Sequence, residues 1–184
     1  NAENNQTGRM GMMMGGGKPS AIDKLLKTWG VAFDANKVAG DITRARRVQF
    51  GGARQPMVTE YVAWIGLGKG NIDDRDVLSN GIERINLGSS GYFEKIEGAT
   101  TTLTPILKTT AQAMVLEADK LRPMPDPVSL IRAYKPGGKE LVLAARLVGD
   151  AKSAFADGPP KPAEDKKDGK TAPKAATPDA KKDE

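Results

Sequence analysis

The apolar residues of this chain occur in short runs that glycine and proline interrupt, and this spacing restricts the fold to short elements. Runs rich in β-branched and aromatic residues predict strands, because such side chains pack well on a half-buried sheet. The predicted strands are residues 44–50, 57–67, 92–96, 100–108 and 140–149, with short extended pieces near residues 31–38. Ile82, Ile85 and Leu87 lead into a turn marked by Gly88 and Gly91. Strands outnumber helices. The pattern therefore predicts an α/β or α+β fold, with one domain at residues 20–156 that combines a mixed β-sheet and short helices.

Helical periodicity is clearest near the start of this domain. Leu25, Leu26 and Trp29 recur at helical spacing, and Gly30 supplies a C-terminal stop. A short amphipathic helix is therefore predicted over residues 21–29. We expect its three large apolar side chains to be buried and the helix to be central to the fold.

Two further signals concern the connections. Pro105 has no backbone N–H, so the strand at 100–108 is expected at a sheet edge or a bulge. Asp126-Pro127 opens a short helix or turn, and the PGGK sequence at 136–139 between two apolar runs predicts a hairpin.

Both ends of the chain differ from its middle. Residues 157–184 contain no aromatic, Leu, Ile, Val or Met, so nothing offsets the entropy of ordering and a disordered tail is predicted. Residues 1–19 form a Gly/Met-rich leader that we expect to be flexible. Its GMMMGGGKPS stretch resembles a phosphate-binding loop, but Met12 stands where that motif needs glycine and Pro19 where it needs Ser or Thr.

The first two residues carry a separate indication. A start at Asn1-Ala2 without an initiator methionine resembles the scar of a cleaved expression tag. The chain is accordingly expected to be an excised, soluble piece of a larger protein.

Histidine and cysteine are both absent from the 184 residues. The commonest general base, the soft metal ligands and the thiol nucleophile are therefore unavailable. We predict a non-enzymatic domain with no catalytic residue, metal or cofactor. A net charge of +5 and 5% aromatic residues do not suit a nucleic-acid binder, which needs a basic stripe and stacking platforms. No apolar run reaches the roughly 18 residues of a membrane span.

The densest acidic cluster is Asp73, Asp74 and Asp76. Their spacing does not match the calcium loop of an EF-hand. A solvated turn at the start of a helix is favoured over a divalent-cation site.

Three arginines fall on the predicted strand at 44–50. Arg44 and Arg46 share one face, and Arg47 points to the other. An anionic partner or headgroup is one interpretation. A solvated strand face is the favoured one, because surface charge is common.

The candidate binding residues are Lys108, Thr109, Thr110 and Trp64. The first three follow an apolar run directly, and in α/β sheets ligands gather where strands end. The alternative is that the two threonines cap the next helical turn. For Trp64, core packing is the default interpretation and a sugar-stacking surface the minority one.

Several segments resemble one family. The run LLKTWGVAFDANKVAGD at 25–41 is similar to a leucine-rich helix, Trp-Gly-Val, extended stretch and Val-x-Asp pattern. TLTPILKTTAQA at 102–113 is similar to Leu-Thr-Pro-Leu-Leu-x-Thr-Ser, and LVLAARLVGDAKSAF at 141–155 to a Leu-Ala-Ala-Arg-Leu-x-Gly stretch. These patterns occur in GldG-like auxiliary proteins of uncharacterised ABC-type transport systems, which are related to a gliding-motility transporter subunit and more distantly to an intraflagellar transport protein.

The resemblance implies an extracytoplasmic, periplasmic domain of a membrane-anchored parent at the inner membrane. It would work beside separate permease and ATPase subunits, binding a protein partner or the transported ligand, in an oligomeric state left open. The alternative is a carbohydrate-binding or carbohydrate-processing domain, with Trp64 as platform and Asp73, Asp74 or Asp76 as acids. Glycoside hydrolysis needs two carboxylates that flank one bond at a defined separation.

Overall fold

The computed structural model describes residues 22–51, 56–121, 126–155 and 158. The chain divides into two compact units, residues 1–154 and 155–184, and the second is described only at Phe155 and Gly158. The described helices and strands all lie in the first unit. The predictions for the leader at 1–19 and for the tail at 157–184, Gly158 aside, lie outside the described residues.

The elements are short throughout the described ranges. The α-helices are α1 (Asp23–Thr28) and α2 (Pro127–Arg132), and 3-10 helices cover Ile42–Arg44 and Ala118–Leu121. The strands are β1 (Val31–Phe33), β2 (Lys37–Asp41), β3 (Ala45–Phe50), β4 (Met57–Leu67), β5 (Ile85–Gly88), β6 (Phe93–Lys95), β7 (Thr101–Lys108), β8 (Ala113–Glu117) and β9 (Val142–Gly149). The described helices are too short or too polar to cross a membrane.

The strands form three sheets in the described part of the chain. Their orders are β1-β6-β9-β7, β3-β4-β5 and β2-β8, and every pairing between these strands is antiparallel. The predicted combination of sheet and short helices is confirmed, and the antiparallel pairing places the fold on the α+β side.

The predicted position of Pro105 is also confirmed. β7 lies at the edge of the four-stranded sheet, and its register with β9 shifts between Pro105 and Leu107. A residue that cannot donate to the ladder is tolerated at such an edge.

The connection before β9 corrects one prediction. The PGGK sequence does not close a hairpin, because the preceding apolar run forms α2 rather than a strand. Asp126 caps that helix by accepting from Val128 N at 3.0 Å and Ser129 N at 3.2 Å. β9 instead pairs with β6 and β7, which are distant in sequence. β8 was not predicted, and it pairs with β2.

The core consists of two clusters of buried apolar side chains, and β4 contributes to both. The first contains Ala39, Ile65, Leu67, Ile72, Ile106, Leu107, Ala113, Leu141 and Leu143. The second contains Val38, Tyr61, Val62, Ala63, Leu116, Ala118, Leu121 and Leu130. Three successive β4 residues, 61–63, are buried, so neither face of this strand is left to solvent at that point.

The helix expected at the centre of the fold is peripheral. α1 covers six residues and buries none of them, and Leu25, Leu26 and Trp29 are each only half-buried. The prediction that all three are buried is wrong, because α1 packs on β1 while β4 organises the core. The Trp29 indole N–H donates to the Lys152 carbonyl at 3.1 Å, which suits a residue at the boundary with solvent.

Candidate functional site

Thr109 lies inside the protein, contrary to its predicted place on a partner-facing surface. Its side chain is fully buried. Its Oγ1 accepts a hydrogen bond from Leu141 N at 2.8 Å and donates to the Thr110 carbonyl at 3.1 Å. Its own N–H donates to the Leu141 carbonyl at 3.0 Å. Thr109 thus joins β7 to the segment that enters β9, and it cannot touch a partner directly.

Thr110 is half-buried and takes part in a polar network around Asp41. Its N–H donates to Asp41 Oδ2 at 2.7 Å, and its Oγ1 lies 3.0 Å from Thr43 Oγ1. The same Oγ1 accepts from Gln112 N at 3.2 Å. The predicted cap of a helical turn is therefore a cap of a tight turn, which leads into β8 instead of a helix.

Tyr134 belongs to the same network. Its hydroxyl donates to the Gln112 carbonyl at 2.5 Å and accepts from Ile42 N at 3.1 Å. Burial is the main cause that raises the pKa of Tyr134 to about 12, since the phenolate would lose its hydration.

This raised pKa predicts a dependence of stability on alkaline pH. An unfolded tyrosine has a pKa of about 10, so it releases a proton that the folded chain retains up to about pH 12. The stabilisation is complete below the unfolded pKa and is lost as the pH rises through the folded pKa. The free energy of unfolding of the wild type, measured in urea, should therefore fall more steeply above about pH 10 than that of Tyr134→Phe. Parallel curves for the two proteins would contradict this.

Lys108 lies at a surface cleft, here called the Lys108 cleft, of about 500 Å³. It is lined by Gly70, Asn71, Ile72, Asp73, Asp74, Arg75, Thr104, Pro105, Ile106, Lys108, Glu140 and Val142. One wall is the end of β7, and the other is the segment at residues 70–75.

The cleft contains two ion pairs. Lys108 Nζ lies 2.8 Å from Glu140 Oε2, and Arg75 Nε lies 2.9 Å from Asp73 Oδ1. The hydrogen bond from Arg75 is the main cause that lowers the pKa of Asp73 below its usual value. The Asn71 amide donates to the Lys108 carbonyl at 3.1 Å, and its buried Oδ1 has no hydrogen-bond partner among the described residues.

Trp64 lies away from this cleft, on β4. It is 42% exposed, meets Tyr61 edge to face at 5.7 Å, and faces Gly88 across the β4–β5 ladder. An added Cβ at Gly88 would lie 3.5 Å from the indole nitrogen, an ordinary van der Waals distance, so the ring packs directly over this residue. Trp64 and Lys108 are both candidate binding residues by sequence, and the structure does not bring them together.

The acidic cluster has structural partners. Asp73 pairs with Arg75, and the buried Asp76 carboxylate accepts from Arg146 Nη2 at 2.6 Å. A general acid for glycoside hydrolysis needs a raised pKa, whereas the pKa of Asp73 is lowered. Over the described ranges, no group of three or more acidic side chains is placed to hold a metal ion.

Asp76 anchors an exposed apolar loop where a solvated turn at the start of a helix was predicted, and no helix lies between β4 and β5, a stretch that the structure describes throughout. We call residues 73–82 the Val77–Leu78 loop, because Val77 is 81% exposed and Leu78 is 68% exposed. Asp76 Oδ1 accepts from Leu78 N at 2.9 Å, and the Asp76 carbonyl accepts from Asn80 N at 2.8 Å. The Ser79 hydroxyl donates to the Asp73 carbonyl. These hydrogen bonds fix the base of the loop, while the side chains of Val77 and Leu78 face solvent. The adjacent Val and Leu within a polar stretch were the available sequence signal.

By its fold the chain is an antiparallel α+β domain, and its candidate site is a surface cleft beside an exposed apolar loop. The family model described as "ABC-type uncharacterized transport system" matches residues 1–181. The chain belongs to this family, which consists of auxiliary components and implies association with an ABC transport system. No curated protein and no solved structure matches the chain.

Proposed function

We propose that this chain is the non-enzymatic, extracytoplasmic domain of an auxiliary subunit that binds a protein component of its ABC transport system. The binding surface is the Val77–Leu78 loop together with the Lys108 cleft. Within the family, the similarity of residues 25–41 and 102–113 to GldG-like proteins supports a GldG-like role. The same similarity supports a periplasmic location on a membrane-anchored parent.

The observation that carries this proposal is the exposure of Val77 and Leu78 on a loop whose base is hydrogen-bonded. Single exposed apolar residues are ordinary, but these two are adjacent, and they directly follow Asp76, which the ion pair with Arg146 fixes in place. A loop whose backbone is already fixed loses little conformational entropy when a partner covers it. Apolar side chains in this state are suited to fill a pocket on another protein.

The neighbouring cleft favours a protein partner over a small ligand. Its charged groups, Lys108 with Glu140 and Arg75 with Asp73, are already paired. A small charged ligand would have to displace one member of a pair, and exchanging one exposed ion pair for another gains little free energy. A protein partner can instead place polar groups next to both ion pairs. These groups would then form a polar rim around the apolar contact made by Val77 and Leu78. On the extracytoplasmic side the accessible subunit is the permease, so the ATPase would be reached through the permease.

Replacing both loop residues tests this surface. We expect Val77→Asp with Leu78→Asp to weaken co-purification with the permease and ATPase by about 30-fold, which corresponds to roughly 2 kcal/mol for a central contact. The melting temperature should hardly change, because both side chains are exposed.

The matched control is Val58→Asp, since Val58 is 58% exposed on β4 and lies outside the loop. It should leave co-purification intact. Undiminished co-purification of the loop variant, or an equal loss in the control, would remove the loop from the interface.

A further inference from the structure

A second concavity of the molecule is rich in arginine. It has a volume of about 260 Å³ and is lined by Thr43, Arg44, Ala45, Arg46, Gly66, Leu67, Gly68 and Arg84. We call it the arginine pocket. Three of its lining residues carry a guanidinium group, and none is acidic. It shares no lining residue with the Lys108 cleft.

The fold gathers these arginines from separate elements. Arg44 ends the 3-10 helix at Ile42–Arg44 instead of lying on a strand as predicted, and Arg46 follows on β3. The register between β3 and β4 shifts between Ala45 and Arg46. This irregularity brings Arg44 and Arg46 to one opening although the first is not in the strand. Arg84 arrives from the residue before β5, on the other side of β4.

Gly66 of β4 makes room for this arrangement. A Cβ added at Gly66 would lie 3.0 Å from Arg46 Cδ and 3.7 Å from Arg46 Nη1. The exposed Arg46 side chain therefore lies across the glycine, along the opening of the pocket. Arg47, the third arginine of the sequence cluster, does not line the pocket and stands opposite Glu60 in the ladder.

The three guanidinium groups have no acidic partner within the described part of the chain. None of them occurs in an ion pair there. The Nε atom of Arg44 is buried and has no hydrogen-bond partner among the described residues. Like charges held together and a buried donor without an acceptor both oppose folding, and an anion in the pocket would relieve both.

We propose that the arginine pocket binds the phosphate group of a small phosphorylated ligand. Guanidinium groups present paired N–H donors that match the oxygens of phosphate, and three of them suit a group with more than one negative charge. The volume lies just below the usual range for small-molecule pockets, about 300 Å³ and above, which suits a single headgroup. The phosphate can come from a soluble phosphate monoester or from the headgroup of a phospholipid. This proposal does not rest on the Val77–Leu78 loop or on the Lys108 cleft.

The first test is calorimetry of the full chain with inorganic phosphate and with pyrophosphate, at an ionic strength kept constant with chloride. We expect saturable binding with a stoichiometry of one. Arg46→Gln with Arg84→Gln should weaken it about tenfold or more, since each removes one charged donor pair and both residues are exposed enough to be replaced without unfolding. Arg47→Gln is the control on the same strand and should change the affinity less than about twofold, because surface charges outside a site act weakly.

The second arm identifies the source. Vesicles of phosphatidylcholine with and without phosphatidic acid are sedimented with the protein. Retention on the phosphatidic acid vesicles alone, lost in the double variant and competed by free phosphate, identifies a lipid headgroup. Calorimetric binding without retention identifies a soluble ligand.

Three results would overturn the proposal. The first is the absence of binding in both arms. The second is an equal loss of binding in Arg47→Gln, which would indicate general attraction to a basic surface. The third is malonate binding as tightly as phosphate, which would show a site for carboxylates.

Discussion

Replacement of Asp41 with Ala is expected to lower the free energy of unfolding by about 3 kcal/mol, the upper range for hydrogen bonds to a charged group. The Asp41 carboxylate is fully buried. It accepts from Thr43 N at 3.0 Å, from Thr43 Oγ1 at 2.8 Å and from Thr110 N at 2.7 Å. Alanine would leave these three donors without the acceptor that the buried carboxylate provides. Equilibrium unfolding in urea measures the loss.

Asp34 offers the matched control. It is exposed, accepts from Asn36 N at 2.9 Å in a turn, and pairs loosely with Lys37 at 3.8 Å. Asp34→Ala should cost less than about 1 kcal/mol, as for exposed ion pairs and turn contacts. If Asp41→Ala costs no more than this control, Asp41 is not the structural anchor of the turn at Thr110.

The second large effect is expected at Gly30, where α1 meets the rest of the domain. Gly30 has φ +74, a conformation that costs an L-residue about 1–2 kcal/mol. A Cβ built there would overlap Ala99 Cβ and lie 3.2 Å from Thr101 Oγ1. Gly30→Ala therefore adds overpacking, at about 1–3 kcal/mol, to the backbone strain. We expect a total loss of about 3 kcal/mol or more in urea unfolding.

Gly81 separates the two contributions. It has φ +80, and nothing lies within 4 Å of an added Cβ. Gly81→Ala should cost only the conformational part, about 1 kcal/mol. An equal loss of unfolding free energy in Gly30→Ala and Gly81→Ala would show that Ala99 moves aside without an energetic cost.

The larger loss at Gly30 would show how local and distant causes combine at one residue. The sequence predicts that a helix ends at Gly30, and α1 does end just before it. A glycine that ends a helix depends only on the local backbone, so this feature could be predicted. The close approach of Ala99 depends on the return of the chain about 70 residues later, where Ile96 N donates to the Gly30 carbonyl at 2.8 Å. No local pattern contains that contact.

Several other features depend on local chemistry alone and were predicted. The long apolar run of β4, the edge position of the strand that contains Pro105, and the start of α2 at Asp126-Pro127 are examples. Each rests on a property of the residue itself: β-propensity, a missing N–H, or a side-chain acceptor beside free backbone donors.

The candidate sites could be predicted only in part. Lys108 was placed at a strand end, and it does line a cleft, but the partner Glu140 and the wall at residues 70–75 come from distant segments. Thr109 was placed beside it on the surface, although its hydroxyl is bound to Leu141 in the interior. The sequence shows that the hydroxyl is polar and does not show which backbone group satisfies it.

The sequence by itself determined short strands, their turns and caps, and the absence of imidazole and thiol chemistry, because these depend on residue types and near neighbours. Only the tertiary structure decided that α1 lies at the periphery, that Arg84 joins Arg44 and Arg46 around one pocket, and that Val77 and Leu78 face solvent. Burial and charge pairing are set by which segments pack together. In this fold the decisive packing joins β2 with β8 and β7 with β9, across separations that periodicity does not encode.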